Sequence, residues 1–150
     1  MDIDRVTQRL NPLVAWLLRS PLHPLLAWGL MLVTVTGRRS GRVYTIPVGY
    51  QRDGDALVVL VSKPARKQWW RNYRERRPIG VCLWGRAVQG HAAVVPPGSP
   101  AFHEAMERTF SRVPGLSRQF GIAYDRRIGL TAAQRDVVAQ AAVVVRIELR

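Results

Sequence analysis

The pentapeptide Gly37-Arg38-Arg39-Ser40-Gly41 concentrates more anion-binding chemistry than any other stretch of this chain. Two glycines can free successive backbone N–H groups to point at one anion, while Arg38, Arg39 and Ser40 add side-chain donors and Arg42 extends the patch. The same residues also make an ordinary hairpin turn with solvated arginines, so context has to decide. Lys63 and Lys67 follow the next apolar strand, and Trp69 and Trp70 come directly after them. Cations beside large flat rings suit a planar, anionic ligand. At helical spacing, one of the two tryptophans belongs to the core.

Other chemistries find no support. His23, His91 and His103 are scattered, with no serine or carboxylate arrangement of a hydrolytic triad. Asp53 and Asp55 flank a turn glycine, where such residues serve the backbone. Cys82 is the single cysteine, so no intramolecular disulfide can form and no Cys/His metal site is expected. A reducing, cytoplasmic setting fits. If the protein is an enzyme, a cofactor carries the hard chemistry.

The formal charge is +13, and of 23 basic residues only Lys63 and Lys67 are lysines. From Gly37 to Arg86, twelve basic residues face Asp53, Asp55 and Glu75, which places +9 of that charge in one stretch. An anionic partner is implied there. Five tryptophans among arginines also suit single-stranded nucleic acid, but no nucleic-acid motif accompanies them, so none is expected as partner.

With 150 residues, 47% of them hydrophobic, one domain with a real core is expected over 1–150. Met1-Asp2-Ile3-Asp4-Arg5 carries acids where a signal peptide places basic residues, so secretion is not expected. The apolar run from Pro12 to Val35 is broken by Arg19, Pro21, His23 and Pro24, which argues against a membrane span.

The elements that must position these groups follow from periodicity. Residues 6–18 read as an amphipathic helix within an N-terminal helical segment, 1–29, with a second short piece over 23–28. Residues 30–36 and 43–50 form a hairpin around the Gly37–Gly41 turn, and Asp53-Gly54 introduces a strand over 56–62. A helix over 67–76 precedes a second hairpin, 79–83 with 87–95. Ser99-Pro100 starts a helix, 113–130 is irregular, Thr131 and Gln134 cap a helix to about 140, and 143–149 is a last strand. Six strands with few helices give an α+β, mainly β fold.

Leu32-Val33-Thr34-Val35-Thr36-Gly37-Arg38-Arg39-Ser40-Gly41, then Thr45-Ile46-Pro47-Val48-Gly49-Tyr50, Asp53-Gly54-Asp55 and Trp69-Trp70-Arg71-Asn72-Tyr73 together resemble the deazaflavin-dependent nitroreductases, also described as F420H2-dependent quinone reductases. The likeness spans about residues 30–95. It implies a six-stranded split β-barrel like the FMN-binding pyridoxamine-phosphate oxidases, and coenzyme F420, whose phosphate and glutamyl tail are anionic.

The resemblance further implies that Arg38, Arg39, Ser40, Gly41 and Arg42 hold the phosphate or tail, that Thr45, Ile46, Pro47, Val48 and Gly49 line the deazaflavin, that Lys63 or Lys67 reaches the tail, and that Trp69 walls the pocket. The reduced cofactor would pass a hydride to a hydrophobic acceptor, a quinone, an enone or a nitroaromatic. Tyr124 and Tyr50 are candidate donors of the accompanying proton, with a structural role as the competing reading of each. The helix before Val143 departs from the family pattern. That departure leaves open a repurposed split barrel that binds FMN, heme or a lipid. The N-terminal helix either covers the barrel or rests on a membrane at the inner face of the cell, where Trp16 and Trp28 suit an interface.

Overall fold

Alternating burial along the first strand sets the architecture. The computed structural model describes residues 29–83 and 85–150, and the helices expected over 6–18 and 23–28 lie outside them, as does any membrane contact they would make. Strand β1, Leu30–Thr36, buries Met31, Val33 and Val35 and turns Leu32 and Thr34 to the opposite face. Strand β2, Val43–Gly49, pairs with it antiparallel, so that Tyr44, Ile46 and Val48 stand opposite Val35, Val33 and Met31 on the inner face.

The remaining strands are β3 (Gln51–Asp53), β4 (Ala56–Ser62), β5 (Arg77–Leu83), β6 (Arg86–Val94) and β7 (Ala142–Leu149). They form one antiparallel sheet in the order β2-β1-β5-β6-β7-β4-β3, curled so that β2 comes against β4. This is a split half-barrel of seven strands: the six expected and the three-residue β3. The Asp-Gly turn is tight enough for the residues before it to pair back on β4, Gln51 with Val58 and Asp53 with Ala56.

Strand β4 reads as a nearly continuous apolar run because both its faces are covered. Leu57, Val59 and Val61 join Val143, Val145 and Ile147 inside the barrel. Val58 and Leu60 meet a helical layer whose buried members include Phe102, Met106 and Phe110. That layer comprises α1 (Pro100–Arg112), α2 (Pro114–Arg118) and α3 (Ala132–Ala141). Ser99 accepts the Phe102 N–H, and Thr131 and Gln134 form the expected capping box.

Two segments differ from the sequence reading. The helix expected over 67–76 is a 3-10 helix, Trp69–Tyr73, because β5 begins at Arg77 and leaves too little chain for further turns. The segment read as irregular contains α2, started by Pro114 at its first position. Among the described residues, no helix is long and apolar enough to cross a membrane.

Asp53 ties strand and helix layers together: its carboxylate meets Arg146 at 2.6 Å and Arg108 at 2.7 Å. The hydrogen bond from Arg146, then that from Arg108, holds the Asp53 pKa below its ordinary value. A lowered carboxylate pKa contributes stability above the unfolded value and loses it as pH falls through the folded one. The stability difference between wild type and Asp53→Asn should therefore be full near neutrality and close below about pH 4. Thermal melts across a pH series measure it, and a difference that persists at the acid end would mean that ionisation of Asp53 contributes nothing.

Candidate functional site

The turn between β1 and β2 is tied down by its own main chain. Gly41 takes a left-handed φ of +66°, which costs glycine little. Its N–H donates to the Gly37 carbonyl at 2.9 Å, and the Gly37 N–H donates to Arg42 at 2.7 Å. The Arg42 N–H donates to Ser40 Oγ, and that of Arg38 donates to Asn72 Oδ1 at 2.7 Å. These four N–H groups hold the turn, so the expected cradle of freed glycine amides does not form. Anion-binding capacity passes to the side chains. Arg38, Arg39, Ser40 and Arg42 line an open cleft of about 880 Å³, faced by Gln68, Arg71, Asn72 and Arg74.

Asn72 is the pin of this cleft. It is 9% exposed, accepts the Arg38 N–H, and donates through Nδ2 to the Trp69 carbonyl at 3.0 Å. The buried ring of Trp69 meets Tyr73 edge-on, and burial pushes the Tyr73 phenol up to about 12, so it stays protonated. Trp70 donates to the Pro64 carbonyl, while the guanidinium carbons of Arg71 and Arg74 lie 5.7 and 5.3 Å from its ring centroid. Cation–π contact thus fixes two arginines on the cleft wall.

At Tyr44 and Gln68 the cleft adjoins a largely apolar cavity of about 640 Å³, since both residues line both spaces. The cavity lies along the seam where β2 approaches β4. Strand β3 covers β4 only as far as Val58, and β2 ends the sheet, so Val59–Ser62 and β2 each present an edge without a ladder partner among the described residues. Unpaired main-chain donors and acceptors therefore border an otherwise hydrophobic space. Val113, Leu116 and Gln119, at and around α2, close it from the helical side.

Seven of the residues expected from sequence meet here. Ile46, Pro47, Val48, Gly49, Tyr50, Lys67 and Trp69 line the cavity. Thr45 does not: strand alternation turns it to the other face, where its hydroxyl lies 3.1 Å from that of Thr34. Lys63 is exposed and holds a left-handed φ of 51°, the only positive φ of a non-glycine among the described residues. Lys67, also exposed, donates to Ser62 Oγ at 3.4 Å, and partial desolvation, then the charge of Lys63, lowers its pKa. Tyr124 is outside the cavity wall: it packs on Phe110 and its hydroxyl lies 3.2 Å from that of Ser111.

Sequence reasoning missed Asn72, Tyr44, Gln51, Gln68 and the α2 residues. Tyr44 shares the alternation of Ile46 and Val48, a signal that was present. Asn72 sits inside the Trp69–Tyr73 motif with no local signal of its own that marks it as a pin. The α2 wall has no local signature.

The antiparallel half-barrel, with its cavity at the seam, defines a split-barrel protein. Its fold is similar to that of the heme storage protein HutZ from Vibrio cholerae, at 12% identity and a TM-score of 0.55, covering 94% of this chain and 90% of that one. It is also similar to the FAD and heme binding protein from Mycobacterium smegmatis, at 18% identity and a TM-score of 0.52, covering 87% and 67%. A protein from Listeria innocua assigned as a pyridoxamine 5'-phosphate oxidase matches at 12% identity and a TM-score of 0.50, covering 86% and 90%. Among curated proteins, none matches. The chain belongs to the F420H(2)-dependent quinone reductase family, whose sequence model matches residues 22–129.

Replacing Asn72 by Ala leaves the Arg38 N–H and the Trp69 carbonyl without their partner and should cost about 1–3 kcal/mol. Denaturant unfolding with an unchanged slope measures this, and a loss near zero would show that the pin is dispensable.

Proposed function

We propose that this protein is an F420H2-dependent reductase that passes a hydride from the reduced deazaflavin to a hydrophobic acceptor of the quinone, enone or nitroaromatic class. The observation that carries this reading is the junction at Tyr44 and Gln68 of an apolar cavity with an arginine-lined cleft. A flat ring bearing a phosphate and carboxylate tail is bipartite in the same sense. The donor set fits the group: guanidinium forks match phosphate and carboxylate oxygens, and the unpaired strand edges match ring carbonyl and N–H groups.

When bound, the cofactor supplies the hydride. The chain's own residues bind, orient and exclude water. Arg38, Arg39 and Arg42, with Arg71 and Arg74 opposite, hold the anionic tail, Ser40 adds a hydroxyl, and Gly41 allows the turn. Ile46, Pro47, Val48, Gly49 and Trp69 confine the ring between β2 and β4, which keeps donor and acceptor carbons in one orientation and shields them from solvent. Lys67 adds positive charge at the cavity, and the exposed Lys63 adds to the basic surface outside it. The accompanying proton is assigned to Tyr50, which lines the cavity, in preference to Tyr124, which does not. The reducing interior of the cell suits both the unpaired Cys82 and the cofactor.

Fluorescence titration with F420 tests binding. Arg38→Ala combined with Arg39→Ala should weaken affinity about tenfold or more and flatten its salt dependence while leaving the melt unchanged. Anaerobic oxidation of F420H2 against a panel of quinones, enones and nitroaromatics tests turnover. Binding with no oxidation by any acceptor would leave a carrier or storage protein in place of a reductase.

A further inference from the structure

In a chain of formal charge +13, one broad face of the sheet carries no formal charge. Side chains alternate along a strand and ladder partners share a face. Leu32 and Thr34 of β1, Thr45 of β2, Cys82 of β5 and Gln89 of β6 therefore project together to the outside of the half-barrel. No Asp, Glu, Lys or Arg stands among the outward positions of these four strands. The water-facing side of an antiparallel sheet ordinarily alternates polar residues out with apolar ones in. The helical layer covers the corresponding face of β4 and β7, and neither buried cluster includes a residue of this one.

The face is dented at Gly80, where a Cβ would lie 3.2 Å from that of Thr34. Thr34, Pro78, Ala87 and Gln89 rim a hollow of about 190 Å³ there. An uncharged hollow gives an ion no partner and suits an aliphatic side chain. Such side chains lie directly upstream. Val6, Leu10, Leu13, Val14, Leu17 and Leu18 fall at helical spacing in a segment outside the described residues, and residues 19–28 join it to Gly29 and β1. A helix over 6–18 measures about 20 Å, close to the roughly 23 Å of the seven-residue β1. The connection spans up to about 33 Å, enough to turn back along the face. A tether this short holds the segment at an effective concentration near millimolar. A second copy of the chain lacks that advantage and brings its own +13 against the first.

We infer that the apolar residues of segment 6–18 dock on the uncharged outer face of β2, β1, β5 and β6, with one aliphatic side chain seated in the hollow over Gly80. The apolar stripe then lies within the molecule and not on a membrane, and Arg5 and Gln8 are left to solvent. The inference is independent of the cofactor reading, because the seam cavity and the basic cleft open elsewhere on the sheet.

Cys82, the single cysteine, sits on this face and reports on it. In the full chain, Leu10→Cys, Leu13→Cys and Leu17→Cys are made one at a time, with Gln8→Cys as a control from the polar side of the segment. Each is treated with a short bis-maleimide under native conditions. At least one of the three should link to Cys82 within a monomer, in clearly higher yield than Gln8→Cys. No intramolecular product, or equal yield from all four positions, overturns the docking, and a linked dimer in its place assigns the face to a second copy. Separately, Leu13→Asp with Leu17→Asp should raise the rate at which Cys82 reacts with a soluble thiol reagent about tenfold or more. An unchanged rate in a folded variant overturns the proposal, and should that variant unfold, the cross-linking decides.

Discussion

A sheet that curls without closing is the constraint on which the rest of this structure depends. Seven antiparallel strands bring β2 against β4, but the two edges are not zipped together. Main-chain donors and acceptors along such edges must be paired, solvated or met by a ligand. A barrel closed at this seam would hold only side chains. The split leaves room for a cavity bordered by backbone polar groups, with apolar residues from both edges around it.

The helical layer is what makes the seam a pocket. Strand β4 is buried on both faces, which lets α1 and α2 lean across the opening and contribute Thr109, Val113 and Leu116 to the wall. Asp53 bridges the two layers through Arg108 and Arg146, so the position of the helices is coupled to the β3 turn. At the other end of the site, Asn72 couples the β1–β2 turn to the Trp69–Tyr73 helix by two hydrogen bonds. The apolar and cationic halves of the site thus rest on separate polar ties within one curled sheet.

The concentration of arginine also gains its meaning from this frame. A charge of +13 could be spread over a surface with no consequence beyond solubility. Here Arg38, Arg39 and Arg42 on one turn face Arg71 and Arg74 on another segment, distant in sequence, across a single cleft. Stacking on Trp70 keeps the second pair on that wall. Mutual repulsion among these cations is a cost of folding that an anionic ligand would relieve.

Local pattern alone determined the strands, because period-two alternation in residues 30–36 and the two-sided apolar run in 56–62 admit few alternatives, and it determined the helix starts at Ser99 and Thr131 through capping chemistry. The basic turn and its proximity in sequence to Trp69 were legible for the same reason: residue type and spacing are local facts. Tertiary structure decided which backbone N–H groups remained free, since the glycine amides that looked available donate to the Arg42 and Gly37 carbonyls, and the Arg38 N–H between them donates to the distant Asn72. It also decided that Thr45 turns away from the cavity, that Lys67 and not Lys63 lines it, and that Tyr124 is kept from it by Ser111 and Phe110. These outcomes depend on strand register and on contacts between segments far apart in the chain, and no local window of sequence encodes them.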